Sequence, residues 1–152
     1  MICRCLAVVF AAAVMPAVSF ASSPRLDIRA SLRPTGCKTK ISGSAVAVTG
    51  CIASAPFAGT SRGRMDVRYS ATVDLVRGKG AQRGLVTLRG IDPHDVLVLR
   101  FSGRVTVSTG LSQGAWNAVR RNGAFASGAP AAGTYSSRTP DQGVHVSFTV
   151  RG

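Results

Sequence analysis

Residues 65–75 read MDVRYSATVDL, and their alternation decides the fold class. Met65, Val67, Tyr69, Ala71, Val73 and Leu75 share one parity, and Asp66, Arg68, Ser70, Thr72 and Asp74 share the other. Successive side chains of a strand point to opposite faces, so this period of two predicts a half-buried β-strand rather than a helix. The run Arg77-Gly78-Lys79-Gly80 then interrupts the pattern with residues that accept positive φ, and residues 85–89 resume it as a second strand. Asp92-Pro93-His94-Asp95 supplies the next turn. In a third run Leu97, Leu99, Phe101, Val105 and Val107 take one face while Arg100, Ser102, Arg104 and Thr106 take the other. Three such runs in succession predict a β-meander with one apolar and one wetted side.

Upstream, Leu26, Ile28, Ala30 and Leu32 alternate with polar residues until Pro34-Thr35-Gly36 stops the strand. A hairpin follows. With Cys37 opposite Cys51, its register pairs Thr39 with Thr49 and Ile41 with Ala47 around a three-residue loop, Gly43-Ser44-Ala45. Residues 52–57 extend its second arm to a turn at 59–63, and Pro56 marks a bulge or an edge. Downstream, residues 109–114 are turn-rich, 115–121 form a short segment around the single Trp, and 123–133 are mostly small residues. Val144, Val146, Phe148 and Val150 alternate with polar residues in a clear last strand.

The count comes to about eight or nine strands with no amphipathic helix. The expected fold is all-β: a single antiparallel, roughly eight-stranded up-and-down β-barrel, closed by pairing the first strand with the last. A β-sandwich is the alternative, but the spacing of the two cysteines is too short for a bridge between its sheets.

The chain has 152 residues, 45% of them hydrophobic but only 6% aromatic, and a formal charge of +13. That suits one domain with one core. Residues 1–21 read as a signal peptide: Arg4 precedes an apolar run, and Ser19-Phe20-Ala21 offers a small-x-small cleavage site. Residues 22–152 are then a secreted or periplasmic barrel domain without a transmembrane segment. Cys3 and Cys5 leave with the signal, and Cys37 and Cys51 remain to form a disulfide, as oxidising compartments permit.

The positive charge predicts attraction to polyanions or an anionic envelope surface. Arg68, Arg100 and Arg104 share the outward parity of the meander and, in register, form one basic patch. The competing explanation is an Arg-rich composition, with 16 Arg against three Lys. Specific nucleic-acid binding is not expected, because aromatic residues do not interleave the basic ones.

The segment GAWNAVRRNGAFASGAPAAGTY, from Gly114 to Tyr135, resembles a stretch of small secreted barrels related to allene oxide cyclase and dirigent proteins. Gly114, Trp116, Gly123, Phe125, Gly128, Gly133 and Tyr135 carry the likeness. The resemblance implies an eight-stranded barrel with an apolar interior, which in some relatives cyclises a fatty-acid epoxide or steers phenoxy-radical coupling. The cyclase chemistry is associated with a buried glutamate, and this chain contains no Glu. Dirigent-type sites pair inward Asp and Arg, whereas Asp66, Asp74, Arg68, Arg100 and Arg104 fall on the outward parity. The resemblance therefore transfers the fold and no catalytic residue.

Other constellations are weaker. Gly110-Leu111-Ser112-Gln113-Gly114 matches G-x-S-x-G, with Asp141 and His145 following in hydrolase order, but the nucleophile elbow needs a strand-to-helix turn on a parallel sheet. A hairpin loop is the better reading of Ser112. Asp92, His94 and Asp95 suit a turn more than a metal. Arg77-Gly78-Lys79-Gly80 lacks the spacing of a phosphate loop. Trp116 and Tyr135 at a barrel mouth, with Phe125, are the first place to look for a ligand. The expected function is a non-enzymatic binding barrel for a small apolar ligand or an anionic surface, without metal or cofactor. The rival class is an enzyme, either dirigent-like or cyclase-like or a Ser112 hydrolase.

Overall fold

The computed structural model describes residues 25–139 and 145–152; the expected signal segment, Asp141 and Val144 lie outside the described residues. The chain forms β1 (Asp27–Leu32), β2 (Lys38–Ser42), β3 (Ala45–Gly59), β4 (Gly63–Asp74), β5 (Lys79–Arg89), β6 (Val96–Thr106), β7 (Leu111–Arg121), α1 (Phe125–Gly128), β8 (Ala132–Arg138) and β9 (Val146–Arg151). Strands β3 to β9 pair with their sequence neighbours, β9 pairs with β1, and β1 pairs with β3. Eight strands thereby close an antiparallel barrel, and β2 is an extra strand on the edge of β3. All the pairings are antiparallel, and the single closed sheet excludes the sandwich.

The first and last strands meet as expected, Asp27 opposite Arg151 through Leu32 opposite Val146. The second closure is shorter: only Ile28, Ala30 and the residue between them pair with β3, and that ladder stops at Phe57, one residue before Pro56. A proline has no N–H to give a neighbouring strand, so its position where the ladder ends is intelligible.

Three expectations are corrected. The second meander strand starts at Lys79 rather than Leu85, because its inward positions Gly80, Gln82 and Gly84 break the apolar alternation without breaking the strand. Residues 111–114 belong to β7, so Ser112 lies in a strand and not in a hairpin loop. The β2–β3 hairpin pairs Lys38 with Thr49 and Ser42 with Ala45, one residue out of the expected register, around a two-residue loop. Gly43 opens that loop at φ 58°, where a II′ turn places glycine. A bulge between Val48 and Cys51, with Gly50 at φ 69°, restores the meeting of Cys51 with Cys37.

The barrel has two unlike ends. At one, α1 lies between β7 and β8 and tucks Phe125 and Ala129 against Trp116, Leu97 and Leu88, all nearly inaccessible. The Trp116 indole N–H donates to the carbonyls of Thr134 and Arg151 at 3.0 Å each, so its polar atom is satisfied inside the core. Asp95 anchors this cap by accepting the backbone N–H of Ala124 at 2.6 Å. At the other end the turns at 43–44, 75–78 and 107–110 form a rim around an open mouth.

Candidate functional site: the open half of the barrel

Following the inward parity along each strand shows why the interior fills at one end only. From the closed end upward, β4 reads Met65, Val67, Tyr69, Ala71, and β5 reads Leu88, Val86, Gly84, Gln82, Gly80. β6 reads Leu97, Leu99, Phe101, Gly103, Val105; β7 reads Trp116, Gly114, Ser112; β8 ends Tyr135, Ser137. Large apolar side chains give way to small or polar ones toward the mouth. Phe101, Tyr135 and Phe148 form a dividing layer, with ring centroids 4.6 to 5.7 Å apart. Gly84 leaves the room Phe101 occupies, since a Cβ there would sit 2.7 Å from Phe101 Cζ.

Above that layer lies a cavity of about 260 Å³ that opens at the rim. Its wall is mainly apolar, from Leu32, Val67, Ala71, Val105, Val146 and Phe148, with polar groups from Tyr69, Gln82, Ser112 and Ser137. Ser112 and Ser137 are the only buried polar residues among those described. The Ser112 hydroxyl is 3.1 Å from the Tyr135 hydroxyl. Gln82 Oε1 is buried with no hydrogen-bond partner among the described residues. An unsatisfied buried acceptor costs about 1–3 kcal/mol.

Electrostatically the cavity is neutral: no Asp, Glu, His, Lys or Arg lines it among the described residues. Burial raises the Tyr69 phenol above its ordinary pKa. Burial also raises Tyr135, against the opposing hydrogen bond with Ser112. Both phenols are therefore neutral at physiological pH.

The residues singled out from sequence are dispersed by the fold. Trp116 and Phe125 sit in the closed end and Tyr135 in the dividing layer, so the mouth is lined by other residues. Ser112 lies in a strand facing inward and His145 is exposed before β9, while Asp141 lies outside the described residues. Asp92 accepts the backbone N–H of His94 at 2.8 Å, which is turn chemistry. No three metal-ligating side chains cluster among the described residues. Cys37 and Cys51 are joined in a disulfide that closes the hairpin base.

The basic residues do converge. Arg68 and Arg100 flank Leu85 on one cross-strand row, roughly 10 Å apart at two strand spacings. Arg104 lies four residues further along β6, and Arg83, opposite Ser70 and Ser102, sits between all three. Arg83 escapes the sequence reading because its strand is read as starting at Leu85. None of the four has an acidic partner within 4.0 Å among the described residues. Asp66 instead serves a separate network: burial disfavours its charge, but Ser54, Arg89 and Arg64 together outweigh that and hold it below the ordinary carboxylate pKa.

No family model, curated protein or solved structure matches the chain.

Proposed function

We propose that the protein is an exported binding barrel that holds a small, mostly apolar molecule carrying one hydrogen-bond donor in the open half of its interior. The observation that carries this reading is the mostly apolar cavity at the open end, with the Ser112 and Ser137 hydroxyls in its wall. A comparable apolar void of about 150 Å³ accommodates benzene, so a volume near 260 Å³ suits roughly ten non-hydrogen atoms. A hydroxyl or amine on that molecule would find the Ser112 and Ser137 hydroxyls as hydrogen-bond partners.

Binding is favoured over turnover because the cavity offers no group poised for acid–base work. General acid–base catalysis needs a pKa near the working pH, and the only titratable side chain in the wall among the described residues is Tyr69, shifted away from it. The likeness to allene oxide cyclase and dirigent barrels is part of this proposal at the level of architecture only.

Native mass spectrometry of protein purified from its own host tests the reading. A small co-purifying mass is expected with the parent protein and is expected to vanish in Ala71→Phe, which fills the cavity. A mass retained by Ala71→Phe would place the molecule elsewhere and overturn the assignment.

A further inference from the structure

Among the described residues the rim around the cavity mouth has an unusual composition. Its turns are tied together by backbone hydrogen bonds of 2.9 Å, from Leu75 N–H to Ser44 O, from Val107 N–H to Gly78 O, and from Thr139 N–H to Gly110 O. Along it Ile41, Leu75, Val76 and Val107 are 69%, 58%, 84% and 44% exposed. Other exposed aliphatics lie away from it, Ile52 and Leu85 on the wall and Ile91 and Val119 toward the closed end. Grouped apolar side chains of this kind, bordered by polar ones, mark a contact surface.

Of the chain's three lysines, Lys79 starts β5 at this end and Lys40 and Lys38 follow it down β2 from the 43–44 turn, each exposed. Asp74 is the one acid there among the described residues, and it is occupied by Arg77 at 3.7 Å and by the backbone N–H groups of Val76 and Arg77. Apolar tips, an excess of basic over acidic residues among those described, and the cavity opening thus meet at this end.

We infer that this rim docks on an anionic lipid bilayer, with Leu75 and Val76 entering the boundary between headgroups and acyl chains and the lysines lying against the headgroups. Apolar side chains at that depth and basic ones above it are how a peripheral protein combines partitioning with charge attraction. In this orientation the cavity mouth faces the lipid, where a small amphiphile is most concentrated. Docking does not depend on the cavity being occupied.

Binding to vesicles of phosphatidylcholine mixed with phosphatidylglycerol, measured by flotation, tests the inference. Each lysine near an anionic surface is worth about five-fold, so K38Q/K40Q/K79Q is expected to weaken binding on the order of 100-fold. The triple R68Q/R100Q/R120Q, lower on the wall and toward the closed end, removes the same charge and is expected to cost much less. In a second measurement, brominated lipid is expected to quench the added fluorescence of Val76→Trp and to spare Ile91→Trp, Trp116 being buried in both. Equal weakening by the two triples, equal quenching of the two tryptophans, or no binding to the anionic vesicles would each overturn the inference. Octanol uptake on the same samples separates it from the cavity reading: uptake without docking overturns docking alone, and docking without uptake overturns the cavity reading alone.

Discussion

The closed and open halves of the barrel are built largely from the same strands, yet one is packed and the other hollow; the β1–β3 ladder lies in the closed half, and in the open half that edge of β3 pairs with β2. In the closed half Met65, Leu88, Leu97 and Leu99 are fully buried and Trp116 and Phe125 seal the end. In the open half the same strands present Ala71, Gln82, Gly103 and Ser137. Strand pairing fixes the diameter of the tube, so shrinking the inward side chains leaves space that the backbone cannot collapse into. Stability therefore rests mainly on one end, and the binding proposed above on the other.

The largest effect should come from emptying the packed half. Phe101→Ala is expected to cost about 3–5 kcal/mol in denaturant unfolding, whereas Ala71→Phe in the open half should leave the midpoint unchanged or higher. A comparable loss at both positions would erase the distinction.

Next is the disulfide, which anchors the lip of the open half to β3. Its 14-residue separation gives about 3 kcal/mol by loop entropy. Cys37→Ser should lower the melting temperature accordingly, and non-reducing digestion should recover a Cys37–Cys51 cross-link with neither of these two thiols free.

Titration gives a smaller but cleaner signal. The chain has two tyrosines, and burial raises both above the ordinary value. At pH ~10, where a free phenol is half ionised, absorbance near that of tyrosinate should stay low. Stability held by the neutral phenols is complete below the unfolded pKa and lost as pH rises through the folded one. Asp66 works in the other direction: its depressed pKa stabilises the fold above the unfolded carboxylate value and that contribution fades as pH falls through the folded one. Octanol bound beside Tyr69 should delay its ionisation further and leave Tyr135 little changed.

Least of all, Ser112→Ala removes one hydroxyl pair and should cost about 1 kcal/mol. A fluorophosphonate probe should not label Ser112, because the hydroxyl lies inside the barrel with no histidine among the described residues lining its cavity. Labelling that disappears with His145→Ala would restore the hydrolase reading.

Much of this architecture is legible from alternation alone. Residues 65–75 and 97–107 declare their inward faces because large apolar side chains recur at every second position. The barrel, its first-to-last closure and the disulfide follow. The site is harder to see for the same reason that it exists. Gly80, Gln82 and Gly84 are inward yet look like a loop, so β5 reads as half its true length and both Gln82 and Arg83 pass unnoticed. Ser112 resembles a nucleophile only while its strand is unrecognised. Trp116 and Phe125 draw the eye as a ligand platform because of their size, and size is what commits them to the packed end. Had the decline from large to small been followed along each inward parity, it would have pointed to the mouth.

The central claim is that one half of the interior is a binding site and the other is core. Methyl-resolved NMR during titration with 1-octanol, an apolar chain with one hydroxyl donor, tests it most directly. Shifts are expected at Ala71, Val105 and Val146, and none at Val86, Leu97 or Val150. Shifts spread over both sets, or absent from the first, would contradict the division of the barrel into a packed half and a receiving half.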